Sequence, residues 1–333
     1  MSLPLPLVRS LGTNAPAQAW AAIFEHAQQI CATPLPSSGV AGEVTRRDRE
    51  VGSLDLFLAA AGWDLWRHYQ ANVERTSDAL ATWWSSRAGG RAVLLLDGLS
   101  LRELPWLLQG AAERGYEVHS ARVTGAELPA ETTPFANALG FSARAALENN
   151  GASAGHRLAG ARTETVGVPW TDAAKLIGAE PSWVLWHHWP DHRVHDLDKA
   201  GHGLEKLTSE AQRELTSDAF WSLVERLTTG RRLVITSDHG YAASGLFADT
   251  PDEQQAKHLK ELFKSGRSAP GAGDAPDIWV PPVDLAVTSA HGARRYALGR
   301  RKWKSQGGYP TLTHGGLSVL EVASPFIELS RKE

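Results

Sequence analysis

The segment RAVLLLDG, residues 91–98, is a short continuous apolar run that ends in an aspartate and a glycine. Runs of this kind form strands that are buried on both faces, as in a parallel sheet. Similar runs occur in SWVLWHH, residues 182–188, and in RRLVITSD, residues 231–238. Helical patterns over residues 101–114 and 204–227 lie between the predicted strands. This alternation predicts an α/β fold with a mostly parallel sheet flanked by helices.

The pattern of apolar residues along the chain changes near residue 90. The length of 333 residues allows one large domain, or one main domain with an appendage. Apolar residues recur at helical spacing ahead of residue 90, and strand patterns begin after it. We therefore predict a mostly helical N-terminal region over residues 1–90 and a main α/β domain over residues 91–333. Residues 265–276, SGRSAPGAGDAP, have the composition of a flexible surface loop.

The bulk composition restricts the compartment and the partners. A formal net charge of -3 gives no strong global attraction to nucleic acid or to anionic membranes. The single cysteine, Cys31, cannot form an internal disulfide and fits a reducing compartment. The first residues do not have the pattern of a signal peptide, and no apolar run approaches the roughly 20 residues that span a bilayer. We expect a cytoplasmic protein with no membrane partner.

Acidic and imidazole side chains follow two of the predicted strands. Asp97 ends the first strand, and Asp238 with His239 follows LVITS before Gly240. Ligands of open α/β sheets bind beyond these carboxyl ends, and carboxylate and imidazole are good ligands for zinc or manganese. Alternatively, Asp97 caps a helix and Asp238 belongs to an ordinary turn.

The loop HHWPDHRVHDLDKAGHG, residues 187–203, is dense in histidine and aspartate. It contains two Asp-x-x-x-His pairs, Asp191 with His195 and Asp198 with His202. Spacing of four residues puts both side chains of a pair on one side of a helical turn. The alternative is a solvated polar loop, which the number of histidines disfavours.

Two further segments carry residues of chemical interest. His314 lies in LTHGGLSVLEV, residues 312–322, although a lone histidine is more often structural. Thr132 and Thr133 precede Pro134 at a predicted helix start. They either cap that helix or provide a nucleophile whose developing charge lies at a helix N-terminus.

The order of these motifs resembles the alkaline phosphatase superfamily, which includes nucleotide phosphodiesterases, sulfatases and cofactor-independent phosphoglycerate mutases. The opening VLLLDGLSLRELPWL and the closing HGGLSVLEV look most like the PglZ domain. That domain is known from bacterial phage-defence systems of the BREX and Pgl type. The resemblance covers about residues 91–329 and leaves the N-terminal region outside it.

This resemblance implies a site for two divalent metal ions. One ion would be surrounded by Asp97, Thr132, Asp238 and His239, and the other would be held by Asp198, His202 and His314. The Asp-x-x-Gly-His motif favours Asp198 with His202 as ligands. Asp191 follows its strand more closely, so Asp191 with His195 stays open as the alternative pair. Three histidines favour zinc, with manganese or magnesium as alternatives.

The implied function is that of a metal-dependent phosphodiesterase acting on nucleotides or nucleic acid in phage defence. Thr132 would be the nucleophile, because PAETTP is similar to the nucleophile motif of the phosphodiesterases; Thr133 is the near alternative. Within the basic segment 293–304, Arg294, Arg295 and Arg300 would contact further phosphates, or the segment is a solvated surface. The other functions left open are a phosphomonoesterase or sulfatase of the same superfamily, and a non-catalytic interaction module that binds other phage-defence proteins.

Overall fold

The computed structural model describes residues 3–151, 155–199, 203–271 and 279–332. The strands are, in chain order, β1 (Arg91–Leu96), β2 (Tyr116–Gly125), β3 (Arg162–Val166), β4 (Ser182–His187), β5 (Arg232–Thr236), β6 (Ala248–Asp249), β7 (Ser268–Pro270), β8 (Asp284–Ser289), β9 (Gly292–Ala297), β10 (Arg301–Lys302) and β11 (Ala323–Arg331). Within the described residues, six of them form a central sheet in the order β2-β11-β5-β1-β4-β3. Strands β1, β3, β4 and β5 are parallel, and β11 runs antiparallel between β5 and β2. The predicted α/β class, with a mostly parallel sheet flanked by helices, is confirmed.

Helices cover both faces of this sheet. They are α1 (Leu5–Thr13), α2 (Pro16–Ala32), α3 (Val40–Ala60), α4 (Tyr69–Asn72), α5 (Thr76–Ser86), α6 (Leu104–Glu113), α7 (Thr132–Ala138), α8 (Trp170–Leu176), α9 (Asp191–Asp196), α10 (Leu204–Thr216), α11 (Asp218–Thr228), α12 (Glu253–Phe263) and α13 (Val319–Val322). None of the helices in the described part of the chain combines the length and the apolar character needed to cross a bilayer.

The strands β1, β4 and β5 form the middle of the molecule because their side chains are apolar on both faces. All six residues of β4 are buried, as are residues 92–96 of β1. Leu96 lies beside His187, and Leu95 beside Thr236, in a parallel register. These three strands therefore end together, and the polar residues that follow them meet at one edge of the sheet.

The helix predicted over residues 204–227 is two helices. Ser217 has an extended backbone and separates α10 from α11. Its hydroxyl accepts a hydrogen bond from the amide of Phe220, at 3.2 Å. A serine that caps a helix in this way satisfies a free amide at the start of that helix, which is why the chain breaks there.

The surface loop predicted over residues 265–276 is exposed or half-buried at every described position except Arg267. Arg267 is buried, and its Nε donates to Glu321 Oε1 at 2.8 Å. Residues 268–270 form β7, and residues 272–278 lie outside the described residues. The Gly, Pro and Ser content suggested exposure, but a partner carboxylate from a distant segment allows the arginine to enter the core.

The N-terminal helices share a hydrophobic core with the α/β region. Trp20 and Leu54 lie in the same cluster of buried side chains as Leu101, Leu128 and Val319. Burial of such side chains away from water is the main force that holds the two regions together. The boundary at residue 90 as a domain limit stays a prediction.

Buried ion pairs connect α3 to the same region. Arg102 Nε donates to Asp48 at 3.0 Å, and Arg300 donates both to Asp48 and to Asp55, the latter at 2.7 Å. Asp55 also accepts a hydrogen bond from the amide of Val319, at 2.7 Å. Burial raises the pKa of Asp48, but Arg102 and Arg300 outweigh this effect and hold it below its ordinary value. The charges of this network are therefore compensated within the protein.

Candidate metal centre

Two aspartates meet where β1 and β5 end. Asp97 and Asp238 are both buried. The amide of Gly98 donates to Asp238 Oδ1 at 2.9 Å, which ties the two strand ends together. Gly98 has a φ of +71°, and a Cβ at this position would lie 3.1 Å from Asp191 Cβ. Glycine therefore permits both the left-handed backbone and the close approach of the segment that follows β4.

His239 points its Nε2 between these carboxylates. Its Nδ1 donates to the carbonyl of Gly240 at 2.9 Å. This hydrogen bond leaves Nε2 free at 3.4 Å from Asp238 Oδ2 and 3.8 Å from Asp97 Oδ1. A histidine whose other nitrogen is held by a carbonyl is oriented as metal-binding histidines are.

Helix α9 adds Asp191 and His195 to the same place. The amide of Asp191 donates to the carbonyl of Asp97 at 2.8 Å, so this helix begins against the end of β1. One helical turn later, His195 Nε2 lies 3.4 Å from Asp191 Oδ2. The side chains of both residues therefore lie on the face of α9 directed toward the strand ends.

His314 completes the cluster from the far end of the chain. Its Nδ1 donates to the carbonyl of Ala130 at 3.2 Å. Its Nε2 lies 3.4 Å from His195 Nε2 and 3.6 Å from Asp191 Oδ1. Its ring stacks on that of His239, with centroids 4.4 Å apart.

Two overlapping sets of side chains could hold metal ions. The ligand atoms of Asp191, His195 and His314 lie within 4.8 Å of one another, and so do those of Asp97, Asp191 and His239. Asp191 belongs to both sets, and Asp238 borders the second. Carboxylate and imidazole donors together fit zinc or manganese.

Three buried ligand atoms in this cluster have no hydrogen-bond partner among the described residues. They are Asp191 Oδ1, Asp238 Oδ2 and His239 Nε2. A buried polar atom without a partner costs free energy, and nearly all such atoms in proteins are satisfied. Cations bound in this cluster would give all three atoms a partner, so the residues present fit a metal centre.

The electrostatics of the cluster also favour a cation. Burial, together with the carboxylates of Asp238 and Asp191, raises the pKa of Asp97 well above its ordinary value. Burial lowers the pKa of His239, but the carboxylates of Asp238, Asp191 and Asp97 outweigh it and raise this pKa to about 9. Carboxylates crowded in this way repel one another unless positive charge lies between them.

Thr132 lies beside the cluster. Its Oγ1 donates to Asp97 Oδ1 at 3.2 Å, and the helix start predicted at this residue is the first residue of α7. The adjacent Thr133 is exposed. Arg144 also reaches the cluster, where it pairs with Asp97 Oδ2. No local sequence pattern predicts this contact of Arg144 with a residue at the end of β1.

The structure favours the Asp-x-x-x-His pair that follows β4 directly. Asp198 lies after the end of α9, outside both sets of ligand atoms, and its carbonyl accepts a hydrogen bond from Thr311 at 2.6 Å. His202 lies outside the described residues. The geometry thus supports Asp191 with His195 as the pair that faces the strand ends. The prediction for Asp198 with His202 stays untested for His202.

The three arginines of the basic segment have different surroundings. Arg295 donates to Asp284 at 2.7 Å, and Arg300 is bound by Asp48 and Asp55, so the structure does not bring either to the cluster. Arg294 instead donates to Ser268 Oγ at 3.0 Å.

Ser268 links that arginine to the segment that carries Thr132. Its hydroxyl donates at 3.3 Å to Glu131, the residue before Thr132. Neither residue was predicted from the sequence, since Ser268 lies in the segment assigned to a surface loop. For Glu131, the available sequence signal was its position next to Thr132.

Comparisons with known proteins give fold-level similarity at low identity. No family model matches the chain, and no curated protein matches it. Murine ectonucleotide pyrophosphatase/phosphodiesterase 5 is 14% identical over 72% of this chain and 87% of its own, with a TM-score of 0.39. An inactive form of that protein, in complex with AMP, is 17% identical over 48% of this chain and 52% of its own, with a TM-score of 0.31.

Proposed function

We propose that this chain is a metal-dependent phosphoester hydrolase that binds two divalent ions and uses Thr132 as its nucleophile. The observation that carries the proposal is a group of buried ligand atoms without a described hydrogen-bond partner, close to the Thr132 hydroxyl. These atoms belong to Asp191, Asp238 and His239. We assign Asp191, His195 and His314 to one ion, and Asp97, Asp238 and His239 to the other. Zinc is the expected metal because three of these ligands are histidines.

Bound ions would acidify a hydroxyl and offset negative charge on the phosphoryl oxygens. The chain itself supplies the nucleophile and orients it. Asp97 accepts the Thr132 hydroxyl proton in a hydrogen bond, which fixes the direction of Oγ1. With a diester, attack of this oxygen on phosphorus would break the bond to the leaving alcohol, which takes up the proton lost by Thr132, and form a threonine phosphodiester that keeps the second ester arm. Water would then cleave the bond between Thr132 and phosphorus, releasing a phosphomonoester and restoring the Thr132 hydroxyl.

The substrate we propose is a phosphodiester in a nucleotide or a nucleic acid. A monoester carries one more negative charge on the reacting phosphorus and needs an additional cation there. Arg144 is the cation nearest to Thr132 in sequence on the α7 side, and the Asp97 carboxylate engages it. The resemblance to PglZ supports a role in cytoplasmic phage defence, with other defence proteins as partners. This finer assignment rests on the motif order.

The substrate proposal predicts that bis-nitrophenyl phosphate is hydrolysed faster than nitrophenyl phosphate. Removal of metal with a chelator should reduce turnover to the uncatalysed background, and zinc or manganese should restore it, because the ions would acidify the hydroxyl and offset charge on the phosphoryl oxygens. The measurement is release of nitrophenol with metal content determined in parallel. A preference for the monoester would refute the diesterase assignment. Full metal occupancy without turnover of either substrate would favour the interaction module.

The ligand assignment predicts different results for two aspartates seven residues apart. Asp191→Ala should lower the bound metal and the turnover, as should Asp238→Ala, because each removes an oxygen directed into the cluster. Asp198→Ala is the matched control and should keep both within a few-fold, since the Asp198 carboxylate lies outside both sets of ligand atoms and affects the nearby His195 through its charge. Elemental analysis of the purified variants gives the metal content. The reverse pattern would return the assignment to Asp198 with His202.

A further inference from the structure

A small antiparallel sheet lies against the segment that precedes Thr132. It has the strand order β7-β9-β8 and is inserted in the chain between His239 and His314. Ser268 of β7 donates to Glu131, and Ser289 of β8 donates to the carbonyl of Leu128 at 2.7 Å. Side chains of this sheet are therefore held close to the nucleophile.

Arg294, in the central strand β9, is the cation that this sheet directs toward Glu131. It is partly buried, and Nη2 donates to the neutral hydroxyl of Ser268. Its Nε is buried without a hydrogen-bond partner in the described part of the chain. None of the described carboxylates lies within ion-pair distance of it, whereas the next residue, Arg295, pairs with Asp284.

The buried Nε of Arg294, which has no described hydrogen-bond partner, indicates a ligand at this position. Partial burial of a guanidinium costs free energy unless its charge and its donors are matched. The Glu131 carboxylate is separated from Arg294 by the Ser268 hydroxyl, so it does not supply a direct pair. The planar fork of an arginine matches two oxygens of a phosphate, and charge-assisted bonds of this kind are strong.

We propose that Arg294 binds a second phosphate of the substrate, next to the phosphate that reacts at Thr132. The substrate class is then a phosphoester with at least two neighbouring phosphates, as in nucleoside polyphosphates or nucleic acid. This inference rests on the proposed function, because that function places the reacting phosphate at Thr132. Arg294 acts here in substrate selection, and its bond to Ser268 orients it.

The test measures nucleotide binding to the metal-loaded full chain by calorimetry. Wild type should bind ADP more tightly than AMP, and pApA more tightly than ApA, by roughly tenfold or more, the effect of one charge-assisted hydrogen bond. In Arg294→Ala both ratios should fall toward one, and Arg294→Lys should keep part of each. Lys304→Ala removes an exposed charge from the same segment and should leave both ratios unchanged. The two pairs of probes distinguish a pyrophosphate arrangement from a nucleic acid backbone.

Three outcomes would overturn the inference. Arg294→Ala could weaken the binding of AMP and of ADP equally, or it could change the affinity ratios no more than Lys304→Ala does. The third outcome is a wild-type protein that binds none of the four nucleotides. Thermal melting shows whether Arg294→Ala has a folding defect. If it has one, the affinity ratios of Arg294→Lys are the test of the inference. Turnover of bis-nitrophenyl phosphate, measured in parallel, separates the two proposals. A preference for the second phosphate without turnover contradicts the proposed function alone, and turnover without that preference contradicts the inference alone.

Discussion

Replacement of Thr132 with alanine should reduce phosphoester turnover by about a thousandfold or more, as removal of a covalent nucleophile does in other hydrolases. The variant loses the oxygen that would attack phosphorus and the hydrogen bond to Asp97. It keeps every side chain assigned to the metal ions, so its metal content should match that of the wild type. The measurement combines turnover of bis-nitrophenyl phosphate with elemental analysis.

Thr133 offers a matched control within the same turn. Its side chain is exposed, and Thr133→Ala should keep turnover within a few-fold of the wild type. Thr132→Ser retains a hydroxyl and should recover part of the activity. Loss of turnover in Thr133→Ala, with Thr132→Ala active, would assign the nucleophile to Thr133.

Replacement of Asp48 with alanine should lower the free energy of unfolding by about 3–5 kcal/mol, the usual cost of removing one partner from a buried ion pair. Asp48 is fully enclosed and accepts hydrogen bonds from both Arg102 and Arg300. Its removal leaves Arg102 buried with less compensating charge. Chemical denaturation measures the change, and the comparison is Glu50→Ala in the same helix. Glu50 pairs with Arg46 near the surface, where an ion pair contributes about 0.2–1 kcal/mol at most.

The same network connects the N-terminal helices to the segments that carry the candidate metal ligands. Arg102 donates to the carbonyl of Tyr241 at 2.8 Å, two residues after His239, and Asp55 accepts from Val319 shortly after His314. We therefore expect residues 1–90 and 91–333 to unfold in one transition, which Asp48→Ala shifts as a whole. Two separate transitions, or a folded fragment of residues 91–333, would show instead that the N-terminal region is an independent domain.

Local patterns were sufficient for the central strands and for the residues at their ends. β1, β4 and β5 are short, mostly apolar runs, and such runs, bounded by turn residues, favour strands that are buried on both faces. Because parallel strands end at one edge, Asp97 and Asp238 were expected to approach each other, and they do. Thr132 at the start of α7 was equally accessible, since Pro134 and the polar residues before it mark a helix start.

The sequence by itself determined the α/β sheet and the strand ends that carry Asp97, Asp238 and His239. The tertiary structure alone brings Asp191 and His195 toward them, whereas His202 of the second pair lies outside the described residues. Both pairs have the same spacing, so no local pattern predicts this placement. It depends on α9 beginning against the end of β1, through a hydrogen bond from the amide of Asp191 to the carbonyl of Asp97. The tertiary structure also set the partners of two arginines of the basic segment. Arg300 is bound by carboxylates of α3, far away in sequence, and Arg295 by a carboxylate of the neighbouring strand β8. No local pattern specifies such partners; they are set by which elements pack together.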